Sequence, residues 1–177
     1  AGAISASFIP AYQEQLQKSE SEASHLAQSV LSLIFYAITL TSLIVSVFAY
    51  PISAIITHFP PEKLIIMANL IRIMSLAQII FSASAVFTGV LQSQQRFLMP
   101  AIAPLLYNSG TIIGVFLLSN KIGIYSAAVG VILGSLFHML VQLPAVLKTG
   151  FIPKLVFSNF HSGVKEISRP SYAKWTF

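Results

Sequence analysis

Two long runs without a charged residue meet at a short polar knot, and this pattern restricts the chain more than any other feature. Ile73 to Gln95 holds no charged side chain, and neither does Phe97 to Asn120. Each run is longer than the roughly 20 residues a helix needs to cross a hydrocarbon layer about 30 Å thick. Arg96 therefore sits where two membrane helices turn round. Pro100 fits the first turn of the second helix, where a missing N–H leaves nothing unsatisfied. Pro104, one turn further in, takes a partner from the carbonyl of Pro100 and is expected to bend the helix entrance.

Lipid is the natural solvent for such a chain. Of its 177 residues 55% are hydrophobic and 8% charged, with a mean hydropathy of +0.80, against about 25% charged in a soluble domain. The net charge of +5 therefore points to orientation in a membrane, not to nucleic acid, which is not expected as a partner. The absence of cysteine excludes a disulfide framework, a thiol nucleophile and a Cys-based metal site. There is no Asp, and Glu14, Glu20, Glu22, Glu62 and Glu166 all lie outside the apolar cores. No carboxylate in these spans is available to bind a proton or Na⁺. His25, His58, His138 and His161 are scattered without metal-ligand spacing. No Gly-rich phosphate loop or G-x-S-x-G occurs, so neither a cofactor, a metal nor an enzyme site is expected. The first residue is Ala1, no basic-then-apolar leader follows, and Val164 to Phe177 reads as the start of a helix cut short. The chain is thus expected to be an internal stretch of a longer membrane protein, with the remainder of that protein and membrane lipids as its partners.

The expected fold class is all-α integral membrane, a multi-helix bundle. Residues 1–12 read as the end of a spanning helix. Ser19 with Glu22 fits a capping box. Spans are expected at 26–50, 64–91, 99–118 and 124–147, with Pro51 ending or kinking the first and Pro60-Pro61 breaking the chain before the second. Ser32, Thr39, Thr41, Ser42 and Ser46 suggest that the first span packs on protein as well as lipid. Residues 148–177 form a basic segment leading toward the next helix. Alternating loops put Lys18, Arg96 and the tail (Lys148, Lys154, Lys165, Arg169, Lys174) on one side, and Lys63 and Lys121 on the other. The positive-inside rule places the first set in the cytoplasm.

Polar residues cluster on helix faces. At about 100° per residue, Ser75, Gln78, Ser82, Ala85 and Gly89 share an arc of roughly 80°, extended by Arg72 and Gln92. Ser126, Gly130, Gly134, His138 and Gln142 step by four and wind through roughly 160°. Such stripes either hydrogen-bond neighbouring helices or line a wet cavity. Gly130 with Gly134, and Gly110 with Gly114, read as close helix packing. Arg72 either snorkels to the headgroups or faces a cavity and holds an anionic group such as a phosphate. Arg96 reads foremost as a topology anchor. Asn108, His138 and Gln142 read foremost as structural singles.

An ordered series of motifs carries a family resemblance. Gly2-Ala3-Ile4-Ser5 and Ser7-Phe8-Ile9-Pro10 are followed by Gly89-Val90-Leu91, Arg96-Phe97, Pro100-Ala101-Ile102-Ala103-Pro104 and Asn108. Gly123-Ile124-Tyr125, Gly130 with Gly134, and Gln142-Leu143-Pro144 come next. Across nearly its whole length the chain resembles the MurJ/MviN lipid II flippases of the MATE-like (MOP) superfamily. The resemblance implies a fourteen-helix, two-lobed transporter of the bacterial cytoplasmic membrane, of which this stretch holds the end of helix two through helix six. It implies transport of a lipid-linked sugar pyrophosphate, the peptidoglycan precursor, by alternating access. The cavity arginines of the family's first two helices lie upstream of Ala1. Arg72, Ser75, Gln78, Ser82, Arg96 and Asn108 are the substrate or cavity candidates here. Pro10, Gly89, Pro100, Pro104, Gly130 and Gly134 are the helix-shaping ones. A polysaccharide-lipid or multidrug exporter of the same superfamily, or a non-transporting membrane scaffold, is the alternative.

Overall fold

The computed structural model describes residues 2–158 and 160–164, with side chains from Ser7 onward. The expected further helix after Val164, with Lys165, Arg169 and Lys174, lies outside the described residues. Among the described residues six helices follow one another: α1 (Gly2–Lys18), α2 (Glu20–Val47), α3 (Ala49–Ile56), α4 (Pro61–Ser93), α5 (Leu98–Ile122) and α6 (Tyr125–Leu147). Helices α2, α4, α5 and α6 are each long and apolar enough to cross a membrane.

Local chemistry sets the boundaries. Helix α1 continues past Tyr12 to Lys18, carrying Pro10 inside it. Ser19 then caps α2, its side chain accepting from the N–H groups of Ser21 and Glu22 at 3.1 and 3.4 Å. Only half of the capping box forms, because the Ser19 N–H bonds to Gln15 O and the Glu22 carboxylate turns to His161. Helix α2 stops at Val47, before Pro51, which sits in the first turn of the short α3. A proline at 51 has no N–H for the carbonyl four residues back, so the helix breaks at Phe48 and restarts. Pro60 and Pro61 set the start of α4, where a fixed φ favours the first turn.

The turn at Arg96 is a Schellman arrangement made without glycine. The Arg96 N–H reaches back to Leu91 O at 2.8 Å, and Gln95 adopts φ 59°. Glycine usually fills that left-handed position.

Chain neighbours are not always neighbours in space. Helices α4 and α5 scarcely touch, because α6 lies between them and packs along both. Helix α2 covers another side of α4, with α1 set against both, and α3 leans on α4. The largest apolar cluster, including Phe8, Tyr12, Leu26, Val90, Leu91 and Phe151, gathers at one end of the bundle. At that end Gln13 Nε2 donates to Ser93 O (3.0 Å), Gln94 Nε2 to Thr149 O (3.4 Å) and Gln28 Nε2 to Ile152 O (2.9 Å). The turns bearing Lys18, Arg96 and Lys148 therefore share one end. Many other large apolar side chains stay on the outside, with Ile55 82% and Phe116 80% exposed. In water such surface would drive aggregation, whereas lipid tails solvate it.

Candidate functional site

The polar residues of α4 serve two opposite faces. Ser75, Ser82 and Gly89 belong to the arc read from the sequence, and all three are buried. The Ser75 and Ser82 hydroxyls donate to their own helix, to Ile71 O at 2.8 Å and Ile79 O at 2.7 Å. Gly89 carries α1 against it, since a Cβ there would stand 2.8 Å from the Phe8 ring. Gln78 and Asn108 are exposed. Arg96 is exposed at its turn, roughly 30 Å along α4 from Arg72. The six substrate or cavity candidates therefore do not converge on one point among the described residues. A depression of about 540 Å³ on the outer face of α5, lined by Thr111, Ile112, Val115, Phe116, Ser119 and Asn120, contains none of them.

Arg72 has a specific position. Its Nε donates to Ser46 O at 3.1 Å, and its Nη1 to Asn69 Oδ1 at 2.9 Å. Ser46 lies in the last turn of α2, just before the break at Phe48. A cation there meets the negative end of the helix dipole. Asn69 Nδ2 in turn approaches Tyr125 Oη at 3.5 Å. One polar chain thus links the ends of α2, α4 and α6.

Sequence reasoning found one side of a buried polar seam, the His138 and Gln142 end of the α6 stripe, and missed the other. Ser84 and Thr88 sit on the far side of α4 from Ser75, nine residues at 100° being half a rotation. They meet His138 and Gln142 of α6. Ser84 Oγ lies 2.5 Å from His138 Nδ1, Gln142 Nε2 donates to Ser84 Oγ (2.9 Å) and to His138 O (3.0 Å), and Thr88 Oγ1 donates to Gln142 Oε1 (2.8 Å). Gln142 is fully buried. Two i,i+4 polar pairs, one on each span, are the signal that would have pointed to this seam.

The stripe on α6 divides between two neighbours. Winding about 40° every four residues, it presents Gly130 and Gly134 to α5 and His138 and Gln142 to α4. A Cβ on Gly110 would stand 2.7 Å from Gly134 Cα, and one on Gly114 would overlap Gly130 Cα. The two G-x-x-x-G motifs therefore face each other, backbone on backbone. Phe81 bridges the three helices, 4.7 Å from the His138 ring and 5.7 Å from Tyr107 of α5.

Beyond α6 the chain runs along the first half of α2. Val156 N–H donates to Ser32 Oγ (2.7 Å) and His161 N–H to Ser29 Oγ (2.9 Å). His161 Nδ1 accepts from Gly163 N–H (3.0 Å), which leaves Nε2 to carry the hydrogen toward Glu22 Oε2 at 3.0 Å.

Four long apolar helices, small-residue seams and hydrogen-bonded polar pairs between spans define a polytopic α-helical membrane protein. Comparison with known proteins gives the family. The model described as "Lipid II flippase MurJ" matches residues 1–175. A probable lipid II flippase MurJ of Borreliella burgdorferi is 31% identical, covering 88% of this chain and 31% of the relative. One from Buchnera aphidicola is 32% identical over 90% of this chain and 32% of its own length. The lipid II flippase MurJ of Burkholderia cenocepacia is 26% identical over 94% and 34%. The chain belongs to the MurJ lipid II flippase family, and spans about a third of the length of these relatives. It is accordingly a multi-pass protein of the bacterial cytoplasmic membrane.

Proposed function

We propose that this chain forms part of the first lobe of a flippase that carries the lipid-linked peptidoglycan precursor from the inner to the outer leaflet by alternating access. The observation that carries the reading is the family match along residues 1–175, joined to a bundle whose spans and seams suit such a lobe. A pyrophosphate head group cannot cross hydrocarbon unaided, so a polar, cationic path must replace its hydration. On this reading Arg72 is the cation of α4 that acts on the head group. In the present arrangement its guanidinium is engaged by Ser46 O and Asn69. A second arrangement that released it would make it available to a phosphate oxygen.

The test is rescue of cells depleted of their own flippase by the full-length gene. Rescue is expected, and failure by well-expressed, membrane-inserted protein would remove lipid II as the substrate. For Arg72, normal rescue by Arg72→Ala would exclude it from the transport path. Loss with Ala and retention with Lys would support a charge role.

A further inference from the structure

The buried seam between α4 and α6 has an assignment of hydrogens that satisfies each of its side chains. The two Gln142 Nε2 hydrogens go to Ser84 Oγ and His138 O, at 2.9 and 3.0 Å. The Thr88 hydroxyl goes to Gln142 Oε1 at 2.8 Å, a shorter bond than its alternative to Ser84 O at 3.1 Å. The Ser84 hydroxyl then has His138 Nδ1 at 2.5 Å as its acceptor. In this assignment His138 Nδ1 is bare, able to accept from Ser84 Oγ and facing Gln142 Nε2 at 3.2 Å, and the ring is neutral with its hydrogen on Nε2. A proton on Nδ1 would reverse the short bond. The Ser84 hydroxyl would be left with His138 O at 3.4 Å, beyond the usual range for an O–H···O bond. Among the described residues no counter-charge stands against the ring. Ser84, Thr88 and Phe81 face it from α4, Gln142 from α6, and Tyr107 stands behind Phe81 on α5. Glu62 lies in the first turn of α4, roughly 30 Å along the helix from Ser84, and Glu14, Glu20 and Glu22 belong to α1 and the first turn of α2, so an imidazolium here would be an unpaired charge within the bilayer.

We propose that His138 is a positioning residue that works as a permanent hydrogen-bond acceptor. With Ser84, Thr88 and Gln142 it locks α4 to α6, so that α4, α6 and the glycine-seated α5 move as one block, and it carries no proton during transport. This rests on the flippase reading for its place in the cycle, but not for the lock itself. The reason is geometric. Helix α5 holds to the rest almost wholly through α6, so α6 transmits any tilt of α4 only if their register is fixed. In lipid, where apolar packing between helices gains little over lipid contact, a satisfied polar cluster supplies that fixation.

The experiment uses the full-length protein. His138→Asn keeps an acceptor oxygen near the Nδ1 position, whereas His138→Leu removes it. In vesicles loaded with the lipid-linked precursor, His138→Asn is expected to keep at least half the wild-type flipping rate, with the same dependence on pH between 5.5 and 8. His138→Leu is expected to lose about tenfold. A His138→Asn protein that folds but does not flip, or that flattens the pH profile, would overturn the proposal. Independently of transport, thermal unfolding in detergent of Ser84→Ala, His138→Leu and the double variant tests the lock. The second substitution is expected to lower the melting temperature little once the first is present. Additive losses would overturn the lock even if every protein flips. If wild type itself moves no precursor while the melting coupling holds, the flippase reading fails and the lock stands.

Discussion

Gln95 shows how one residue's backbone sets a turn. Its φ of 59° lies in the left-handed region, which a side chain with a Cβ enters at a cost of roughly 1–2 kcal/mol. The position follows α4 and permits the Arg96 N–H to close on Leu91 O. Gln95→Gly is therefore expected to stabilise the protein by about 1 kcal/mol, read as a higher unfolding midpoint in detergent. An unchanged or lower midpoint would mean that the Gln95 side chain contributes a contact of its own. Arg72 shows the limit of residue-level reading. Its charge within a span is evident from sequence, which offers the headgroups or a cavity as its place. The acceptor it meets, Ser46 O, exists only because α2 breaks before Pro51 and brings a helix end beside it. Neither the break point nor its proximity to α4 follows from the residues around Arg72.

At the scale of elements, the glycines decide how close two helices stand. Gly134 lies against the Tyr107 carbonyl, and its Cβ would also stand 2.8 Å from Thr111 Oγ1. Backbone cannot yield as a side-chain tip can. Gly134→Leu is expected to push α5 off α6 and to cost several kcal/mol, as overpacking with backbone displacement does at about 1–3 kcal/mol or more. Protease sensitivity in the α5–α6 turn and reduced folded yield would report it. A full yield of stable protein would show that the seam is loose. The close packing of both G-x-x-x-G motifs was legible from spacing alone, because absent side chains have only one steric consequence. Their mutual pairing was not, since nothing in either helix names its partner. The segment after α6 is a second element-level case. Ser29 and Ser32 each donate to a carbonyl one turn back, His25 O and Gln28 O, and accept an N–H from the strap. Replacing both by Ala leaves two strap N–H groups without these acceptors. We expect Ser29→Ala with Ser32→Ala to raise proteolysis between residues 150 and 164 several-fold while leaving the spans intact. Unchanged cleavage would mean that side-chain packing alone holds the strap.

For the whole molecule, orientation follows from charge. The turns near Lys18 and Arg96 and the strap with Lys148 and Lys154 share one end, while Lys63 and Lys121 belong to turns at the other. Single cysteines placed near residues 95 and 120 of the full-length protein are expected to react with an impermeant thiol reagent from opposite sides. The position near 120 should label from outside the cell. The reverse pattern would overturn the assignment.

Solvent and class are legible in the amino acids alone. Uncharged runs of helical length have few stable states outside a bilayer, since backbone groups there must pair within the helix. Ordered motifs added the family. Which polar residue meets which emerges from the packed bundle and from nothing simpler. The half-turn between Ser75 and Ser84 sends two equally plausible polar faces to different neighbours. The placement of α6 between α4 and α5 joins Ser84 to His138, 54 residues apart in the chain. Helical periodicity fixes where a side chain points on its own cylinder. Which cylinder stands opposite depends on the packing of all of them together.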